Sequence, residues 1–344
     1  MRIADFRSDT VTKPSSKMRE AMASAEVGDD VFGEDPTVNR LQEMTADLLG
    51  KESALYVPSG TMANQLAIRT QTRHGDEIIL ERSTHSFKYE SGGTAALSGV
   101  MVNLLDGNHG ILDVSQIRDQ IKPPTDPHNA PTTMICLENT HNTGGGVVYP
   151  LEKIAEISLF ARDNGLRIHL DGARLFNASV ASGVSPAEYA QHFDTVSFCL
   201  SKGLGAPVGS MLAGSSETMT RARRFRKMFG GGMRQAGILA AAGIYALDNN
   251  IDRLADDHRR ARRLADSVCD TPGLTCDGPV ETNMLFFSVD QDRMSTSEFV
   301  ERLECKGVLM MALGPARVRM VTHLDIDDDD VELAIQGFTD VMGI

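Results

Sequence analysis

Two segments, RIHLDGARLF (residues 167–176) and TVSFCLSKGLG (residues 195–205), decide the fold, because each joins a short apolar run to a loop of small and charged residues. Such runs of β-branched and aliphatic residues predict buried strands of a parallel sheet. The first run leads into Asp171 and the second leads into Lys202. Since ligands bind beyond the carboxyl ends of the strands in an open α/β sheet, we expect both residues at one functional edge.

The same alternation extends along the chain from these two segments. Further strands are predicted at ALYV (residues 54–57), EIIL (77–80), MVNLL (101–105), MICL (134–137) and SMLAG (210–214). Helices are predicted at residues 62–70, 114–121 and 151–164. This alternation predicts an α/β fold, with a mostly parallel sheet that is flanked by helices on both faces.

A change of pattern after Pro272 predicts a second, smaller unit. A helix-rich stretch at residues 217–267 precedes it, and the remaining chain predicts strands near residues 283–289, 308–313 and 318–322, with helices near 297–306 and 329–342. Five aspartates among residues 325–330 are typical of a helix start rather than a metal site. The predicted organisation is an N-terminal arm (residues 1–15), a large domain (16–250) and a small α+β C-terminal domain (251–344).

Composition excludes several classes of protein. The 344 residues include 34 Lys and Arg against 47 Asp and Glu, a net charge of −13, which argues against a nucleic-acid or anionic-membrane partner. Five cysteines without a CxxC pair suggest neither a disulfide framework nor a zinc ribbon. The charged N-terminus and the short longest apolar run (residues 236–247) predict neither a signal peptide nor a membrane span. We therefore expect a soluble cytoplasmic protein.

A candidate anion site follows the first predicted strand of the large domain. There, Pro58, Ser59, Gly60 and Thr61 lead directly into a helix, a layout that presents backbone N–H groups and hydroxyls to an anion such as phosphate. The segment is neither a Walker loop nor a GxGxxG motif, so a nucleoside triphosphate or a dinucleotide is a poor match.

The combination of these features favours one cofactor, pyridoxal 5′-phosphate. That cofactor needs a lysine amine for its Schiff base, an aspartate that keeps its pyridine nitrogen protonated, and a phosphate cradle. Lys202, Asp171 and the segment around Gly60 supply all three. Taken singly, Asp171 and Lys202 could equally form a surface ion pair, but the cradle and the glycines after Lys202 favour the cofactor.

The histidines divide into candidates for catalysis and candidates for structure. His85 follows the predicted strand EIIL, where its ring could lie over a cofactor, and His128 lies in a Pro-rich loop before the strand MICL. His169 and His323 lie in predicted strands and are better interpreted as structural. No HExxH or similar spacing supports a metal site.

Several segments together resemble the low-specificity L-threonine aldolases, including the L-allo-threonine aldolases. They are RSDTVT (residues 7–12), VGDDVFGEDP (27–36), PSGTMAN (58–64), LENTHN (137–142), HLDGARLFNA (169–178), CLSKGLGAPVGS (199–210), GGGMRQAGILAAAG (230–243) and RMVTHLDI (319–326). The resemblance implies a fold-type I pyridoxal-phosphate enzyme, a homotetramer built from catalytic dimers. Such an enzyme cleaves a β-hydroxy-α-amino acid, such as L-threonine or L-allo-threonine, reversibly to glycine and an aldehyde.

The resemblance also implies roles for residues that bind the cofactor. Lys202 resembles the Schiff-base lysine, Asp171 the partner of the pyridine nitrogen, and Arg174 a ligand of the ring hydroxyl. Ser59, Gly60 and Thr61 match the phosphate cradle, and Arg234 resembles a residue that reaches the phosphate of the neighbouring subunit.

Substrate contacts are implied in the same way. Ser8 and Arg319 match the positions that hold the substrate carboxylate, whereas Arg317 has no match and is expected to be solvated. His85 resembles a histidine stacked on the cofactor, and His128 one near the substrate hydroxyl. Either of them, directly or through water, is a candidate for the base that removes the hydroxyl proton.

Two departures and two alternatives stay open at this point. The glycine-rich loop at residues 143–147 is longer than in some members of the family, and Phe32 stands where a tyrosine often occurs. One alternative function is a β-eliminating lyase, which would release pyruvate and ammonia. The other is a non-catalytic relative that keeps the fold.

Overall fold

The computed structural model describes residues 2–343, and its helices and strands follow the predicted alternation. The strands are β1 (Ala4–Asp5), β2 (Ser53–Val57), β3 (Glu77–Glu81), β4 (Met101–Leu105), β5 (Thr132–Glu138), β6 (Arg167–Asp171), β7 (Thr195–Cys199), β8 (Ser210–Gly214), β9 (Leu274–Cys276), β10 (Met284–Val289), β11 (Val308–Leu309), β12 (Met311–Leu313) and β13 (Arg317–Val321).

Helices connect most of these strands. They are α1 (Ser16–Ala23), α2 (Pro36–Leu49), α3 (Gly60–Gln71), α4 (His85–Lys88), α5 (Val114–Arg118), α6 (Leu151–Asp163), α7 (Leu175–Ser182), α8 (Pro186–Ala190), α9 (Ser216–Met228), α10 (Gly237–Asn249), α11 (Leu254–Asp270), α12 (Thr296–Glu304) and α13 (Asp328–Met342). A 3₁₀ turn (Asp9–Val11) and a π-helical turn (Thr94–Ser98) complete the set.

The central sheet has seven strands in the order β2-β8-β7-β6-β5-β3-β4. Neighbours are parallel except at β8, which runs antiparallel to both β7 and β2. Every residue of β7 and β8 is buried, as expected for strands that helices cover on both faces. The predicted α/β class with a mostly parallel sheet is therefore confirmed.

The smaller part of the molecule is built on an antiparallel sheet with the strand order β12-β13-β10-β9. Its core includes three aromatic rings, those of Phe287, Phe299 and Phe338, whose centroids lie 5.9 to 6.2 Å apart. The stretch that was predicted as one strand over residues 308–313 forms two short strands, β11 and β12, on either side of Met310.

The N-terminal segment is an integral part of this smaller unit. Strand β1 pairs in parallel with β11, and the backbone N–H of Val321 donates to the carbonyl of Phe6. The side chain of Phe6 is wholly buried in the same core as Phe287. The residues that follow, 7–12, are thereby held against the carboxyl edge of the central sheet.

Helix α11 joins the two units. The side-chain amide of Asn177 on α7 lies 3.2 Å from Nε2 of His258 on α11, and the hydroxyl of Thr322 donates to the carbonyl of Asp257. The buried core of the larger unit ends at Leu254, and that of the smaller one resumes at Leu264. We propose on this basis that the domain boundary lies between residues 254 and 264, slightly after the predicted boundary at 250.

The aspartate-rich segment begins a helix, as its sequence predicts. Asp327 caps α13 by accepting a hydrogen bond from the backbone N–H of Asp330, and the side chain of Asp330 accepts one from the N–H of Asp327 in return. No helix within residues 2–343 has the length and apolar character needed to cross a bilayer.

The burial of Phe6 leads to a stability prediction. Phe6→Ala removes a wholly buried ring, so it should lower the free energy of unfolding by about 3 to 5 kcal/mol in urea denaturation. Ile3→Ala is the matched control, because Ile3 is 65% exposed and its truncation should cost less than about 0.5 kcal/mol. Equal effects of the two substitutions would contradict a structural role for the N-terminal segment.

Candidate functional site

The candidate site lies at the carboxyl edge of the central sheet, where four neighbouring parallel strands end. Strands β3, β5 and β6 end in the buried carboxylates Glu81, Glu138 and Asp171, and Lys202 follows the end of β7. Helix α3 begins at the same edge, because β2 ends at Val57. As expected, the topology places Asp171, Lys202 and the segment around Gly60 at the same edge of the sheet.

Hydrogen bonds from both sides fix the carboxylate of Asp171. Its Oδ2 accepts a 2.7 Å hydrogen bond from Nδ2 of Asn64, and its Oδ1 accepts one from the backbone N–H of Ala173 at 3.1 Å. Asn64 is buried on α3, and its Oδ1 accepts from the hydroxyl of Ser197. The aspartate is thus oriented by Asn64 of α3 and by the loop that follows β6.

His169 supports this arrangement from behind Asn64. Its Nε2 lies 3.2 Å from Oδ1 of Asn64, and its Nδ1 lies 2.9 Å from the hydroxyl oxygen of Thr195. Burial lowers the pKa of His169 to about 4, so its ring is neutral near pH 7. The structural interpretation of His169 is correct, and its contact orients the amide that holds Asp171.

His85 forms a carboxylate–histidine pair with Glu90. Its Nδ1 lies 3.0 Å from Oε1 of Glu90, and the same oxygen accepts from Nδ2 of Asn64 at 2.8 Å. The hydrogen bond to Glu90 raises the pKa of His85 above its ordinary value; the charge of Asp171 adds to this effect, while burial and Lys202 oppose it. Polar atoms of His85, Glu90 and Asp171 lie within 4.8 Å of one another.

Lys202 extends into the site from a tightly held loop. Its carbonyl oxygen accepts hydrogen bonds from the hydroxyl of Thr12 and from the N–H of Gly205, a residue whose φ of +78° favours glycine. Among residues 2–343, no hydrogen-bond or ion-pair partner occupies its Nζ. The charge of the amine lowers the pKa values of both His85 and Asp9, and within the described residues no hydrogen bond joins it to either of them.

Arg174 forms a buried, two-pronged ion pair with Asp9. Its Nε and one terminal nitrogen each donate to a different carboxylate oxygen of Asp9 at 2.7 Å. Burial alone would raise the pKa of Asp9, but the charge of Arg174 and its hydrogen bonds hold that pKa well below its usual range. Sequence reasoning assigned Arg174 to the site and missed Asp9, although Asp9 lies within the RSDTVT segment.

Arg319 approaches the same place from strand β13. One terminal nitrogen donates to the carbonyl of Arg7 at 3.0 Å and the other to Oδ1 of Asn142 at 3.4 Å, whereas its Nε is buried without an acceptor. Burial and the nearby charge of Arg174 lower the pKa of Arg319. An arginine with an unsatisfied buried donor is suited to an incoming carboxylate. Ser8 follows Arg7 in the sequence. It caps the 3₁₀ turn, because its side chain accepts a hydrogen bond from the N–H of Thr10.

The start of α3 has the geometry of an anion cradle. Ser59 caps the helix by accepting a hydrogen bond from the N–H of Met62, so the first-turn N–H groups of Gly60 and Thr61 have no acceptor within the helix. A Cβ at Gly60 would lie only 2.8 Å from Sγ of Cys199, so a side chain does not fit there. The hydroxyl of Ser210, the first residue of β8, is buried close by without a hydrogen-bond partner.

Two predicted residues are not brought into the site of their own chain. His128 is exposed in the loop before β5, at the amino end of that strand and thus at the opposite edge of the sheet. Arg234 is half-exposed and pairs with Asp29 at 2.8 Å. Their roles remain predictions that need a second copy of the chain.

One expectation about the site rim is wrong. Arg317 is not simply solvated: its Nε donates to Asp277 at 2.9 Å, and its guanidinium carbon lies 4.2 Å from the ring centroid of Phe286. Residues 317 and 319 share one face of β13 because side chains alternate along a strand. Arg317 is therefore committed to the small sheet, while Arg319 keeps a free donor.

Sequence reasoning also missed three site residues, Glu90, Glu138 and His141. Oε2 of Glu138 accepts a 2.6 Å hydrogen bond from the N–H of His85, and Oε1 accepts one from the N–H of Asn142. His141 is buried beside Glu81. Burial alone would raise the pKa of Glu81, but the contact with His141 lowers that pKa to about 2. The LENTHN segment contains two of them, and Glu90 lies five residues after His85.

The chain is similar to known proteins over nearly its whole length. A family model described as beta-eliminating lyase matches residues 5–292. The low specificity L-threonine aldolase of Escherichia coli K12 is 45% identical over 328 residues, with 95% of this chain and 96% of the relative covered. Low-specificity L-threonine aldolase 1 of Arabidopsis thaliana is 42% identical over 347 residues, with 99% and 97% covered. The solved threonine aldolase of Leishmania major superposes with a TM-score of 0.86 at 20% identity, covering 98% of this chain and 99% of that one.

The contact between His85 and Glu90 leads to a pH prediction. Glu90→Gln removes the charge that stabilises protonated His85, so the pKa of His85 should fall. The measurement is a pH titration of the histidine ring resonances by NMR, with His85 assigned through its loss in His85→Asn. Glu20→Gln removes the same charge at an exposed position and serves as the control. An unchanged His85 titration in Glu90→Gln would overturn this account.

Proposed function

The chain belongs to the beta-eliminating lyase family, and from this membership we propose that it is a low-specificity threonine aldolase. It would cleave L-threonine, L-allo-threonine or a related β-hydroxy-α-amino acid between Cα and Cβ, giving glycine and an aldehyde. The observation that carries the proposal is the unpaired amine of Lys202 beside the hydrogen-bonded chain of Asp171, Asn64, Glu90 and His85.

The residues present fit pyridoxal 5′-phosphate, which we propose as the cofactor. Lys202 offers the amine that would bond to the cofactor's aldehyde, Asp171 an oriented carboxylate for the pyridine nitrogen, and the start of α3 a cradle for the phosphate. The space left by Gly60 and the unsatisfied hydroxyl of Ser210 support the same fit. When bound, this cofactor supplies an electron sink for the bond that breaks at the substrate α-carbon.

Arg319 and Ser8 would hold the substrate carboxylate. The buried Nε of Arg319 lacks an acceptor, and its terminal nitrogens are anchored to Arg7 and Asn142, so the guanidinium is oriented before substrate arrives. Fixing the carboxylate fixes the direction of the Cα–Cβ bond, which selects the bond to be cleaved. Ser8 lies within the same N-terminal turn and would add a hydrogen bond.

His85 is the better candidate for the base within one chain. Because Nδ1 is engaged by Glu90, a neutral His85 keeps its proton there and leaves the lone pair of Nε2 for the β-hydroxyl proton. The raised pKa makes this nitrogen more basic, and it also shifts the neutral form toward higher pH. His128 would act only if the loop that carries it came from a second copy.

A second copy is also the proposed partner for Arg234. The loop at residues 27–36 packs on the loop at 230–236, and beside Arg234 the large apolar side chains of Phe32 and Met228 are 74% and 64% exposed. Exposed apolar residues next to a predicted phosphate ligand support burial against another chain. We therefore propose self-association, as the homotetramer implied by the family, and we propose the cytoplasm, where most cysteines are reduced and disulfides form transiently.

A second candidate function, β-elimination, follows from the description of the matching family model. It would use the same Lys202 and Asp171 but would release ammonia and a 2-oxo acid, which is pyruvate from a three-carbon substrate and 2-oxobutanoate from threonine. The relatives named above are aldolases, which favours carbon–carbon cleavage. The products distinguish the two reactions.

Substitution of Lys202 tests the proposed function. Lys202→Ala should abolish the visible absorbance of the lysine-bound cofactor and lower the rate of glycine and acetaldehyde formation from threonine by a factor of about 10³ or more. Lys17→Ala, at an exposed position, should retain both. Wild-type turnover by Lys202→Ala would refute the assignment. Formation of 2-oxobutanoate and ammonia from threonine, in place of glycine and acetaldehyde, would support the β-eliminating alternative.

The two arginines of β13 form a matched pair for testing the carboxylate clamp. Arg319→Gln should lower kcat/KM by a factor of about 10² or more, because it removes a charge-assisted contact to the substrate. Arg317→Gln should change kcat/KM by less than about 10-fold, since Arg317 pairs with Asp277 and stacks on Phe286. Steady-state kinetics with the separate threonine diastereomers provides the measurement. Equal losses for both variants would show that the effect is structural.

A further inference from the structure

Two of the five cysteines are brought into contact in the smaller unit. Cys269 lies one residue before the end of α11, and Cys276 is the last residue of β9. Their sulfur atoms are 3.0 Å apart. The sequence spacing is seven residues, which matches no CxxC motif, so only the turn between helix and strand makes the pair visible.

We propose that Cys269 and Cys276 form a thiol–disulfide site, in which the two thiols are oxidised reversibly to an intramolecular disulfide. A disulfide bond is about 2.05 Å long, so closure requires the sulfur atoms to approach by about 1 Å. A movement of this size can be made by rotation of the two side chains.

The positions of both cysteines are fixed by regular structure. Cys276 pairs with Phe287 in the antiparallel ladder between β9 and β10, and Cys269 lies within the last turn of α11, which packs on β9. The turn between them is also held, because the N–H of Leu274 donates to the carbonyl of Thr271 and the N–H of Asp290 donates to that of Gly273. The two sulfur atoms therefore meet as a consequence of the fold.

The two thiols differ in accessibility, which assigns their roles. Cys269 is exposed, whereas Cys276 is half-buried and its Sγ donates to the carbonyl of Ala265 at 3.4 Å. Burial, with the contact to Cys269, raises the pKa of Cys276 to about 12. The thiolate is the nucleophile in thiol–disulfide exchange. We therefore assign Cys269 as the thiol that reacts with the oxidant and Cys276 as the thiol that then forms the protein disulfide.

The oxidant is a small-molecule disulfide, of which oxidised glutathione is the test case. The thiolate of Cys269 attacks one sulfur, forming a mixed disulfide and releasing the first small thiol. Cys276 loses its proton and attacks Sγ of Cys269, which forms the protein disulfide and expels the second small thiol. Two protein thiols are thereby oxidised by two electrons, and one small disulfide is reduced to two thiols.

The product would join α11 covalently to an edge strand. Strand β9 lies at one end of the small sheet, and α11 is the helix that also contacts α7 of the larger unit through His258 and Asn177. Closing a short loop of this kind restricts the unfolded chain, so oxidation should raise the Tm by about 3 °C. The site is independent of the proposed aldolase function.

The test uses the full chain loaded with pyridoxal phosphate and exposed to oxidised glutathione, followed by alkylation of the remaining thiols. Both cysteines lie in one tryptic peptide, residues 264–293, while Cys305 lies in another. Mass spectrometry should find the first peptide two hydrogen masses lighter, without glutathione or alkyl groups, and restored to two alkylatable thiols by dithiothreitol. Cys305 is exposed and is the matched control, which should carry one glutathione.

Variants distinguish pairing from ordinary surface reactivity. In Cys276→Ser, the thiol of Cys269 has lost its partner and should keep a glutathione, as Cys305 does, and the rise in Tm should disappear. The proposal is overturned if the unsubstituted 264–293 peptide carries glutathione on one or both cysteines. It is equally overturned if that peptide stays fully alkylatable under conditions in which Cys305 has reacted.

Discussion

The buried ion pair between Asp9 and Arg174 is the interaction on which the rest of the site depends. It joins the N-terminal turn to the segment after β6, and Nδ2 of Asn283 adds a weaker contact of 3.3 Å from the smaller unit. A buried pair is costly to desolvate and stabilises a fold only when its hydrogen bonds are well made, as they are here at 2.7 Å. Its main effect is to specify one position for residues 7–9, and the carbonyl of Arg7 in turn anchors Arg319.

A second constraint is the way in which two carboxylates share one amide. Nδ2 of Asn64 donates to both Asp171 and Glu90, so the two negative charges lie close together in a buried place. Like charges at such a distance favour neighbouring cations, and this explains why the pKa of His85 is raised despite its burial. The raised pKa of His85 is thus a consequence of the same hydrogen-bond network that orients Asp171, and the two residues are not independent parts of the site.

What the sequence could predict is what depends on local pattern. The strands that end at Asp171 and precede Lys202 are rich in aliphatic, aromatic and β-branched residues, so their ends, and the residues on those ends, could be located without the structure. Glu90 could not be located in this way, because the chain must fold back after α4 before its carboxylate meets Asn64 and His85. Phe6 was assigned to an arm for a similar reason: its partner strand β11 lies some 300 residues away. Arg317 and Arg319 lie on the same face of β13, so the strand pattern does not distinguish them. The difference between them comes from the contacts of Arg317 with Asp277 and Phe286.

The net charge of −13 and the expected ligands of the site have the same sign, and the pairing of charges resolves the conflict. Within the described chain, Asp9, Glu90, Glu138 and Asp171 each accept hydrogen bonds from fixed donors. At this edge Nε of Arg319 is buried without an acceptor, and no residue of the described chain forms a hydrogen bond or ion pair with Nζ of Lys202. An anionic ligand therefore meets unsatisfied donors at short range, while the distant surface carboxylates that dominate the net charge are screened by solvent and salt. The donors that the internal network leaves without partners are therefore what would select an amino acid carboxylate.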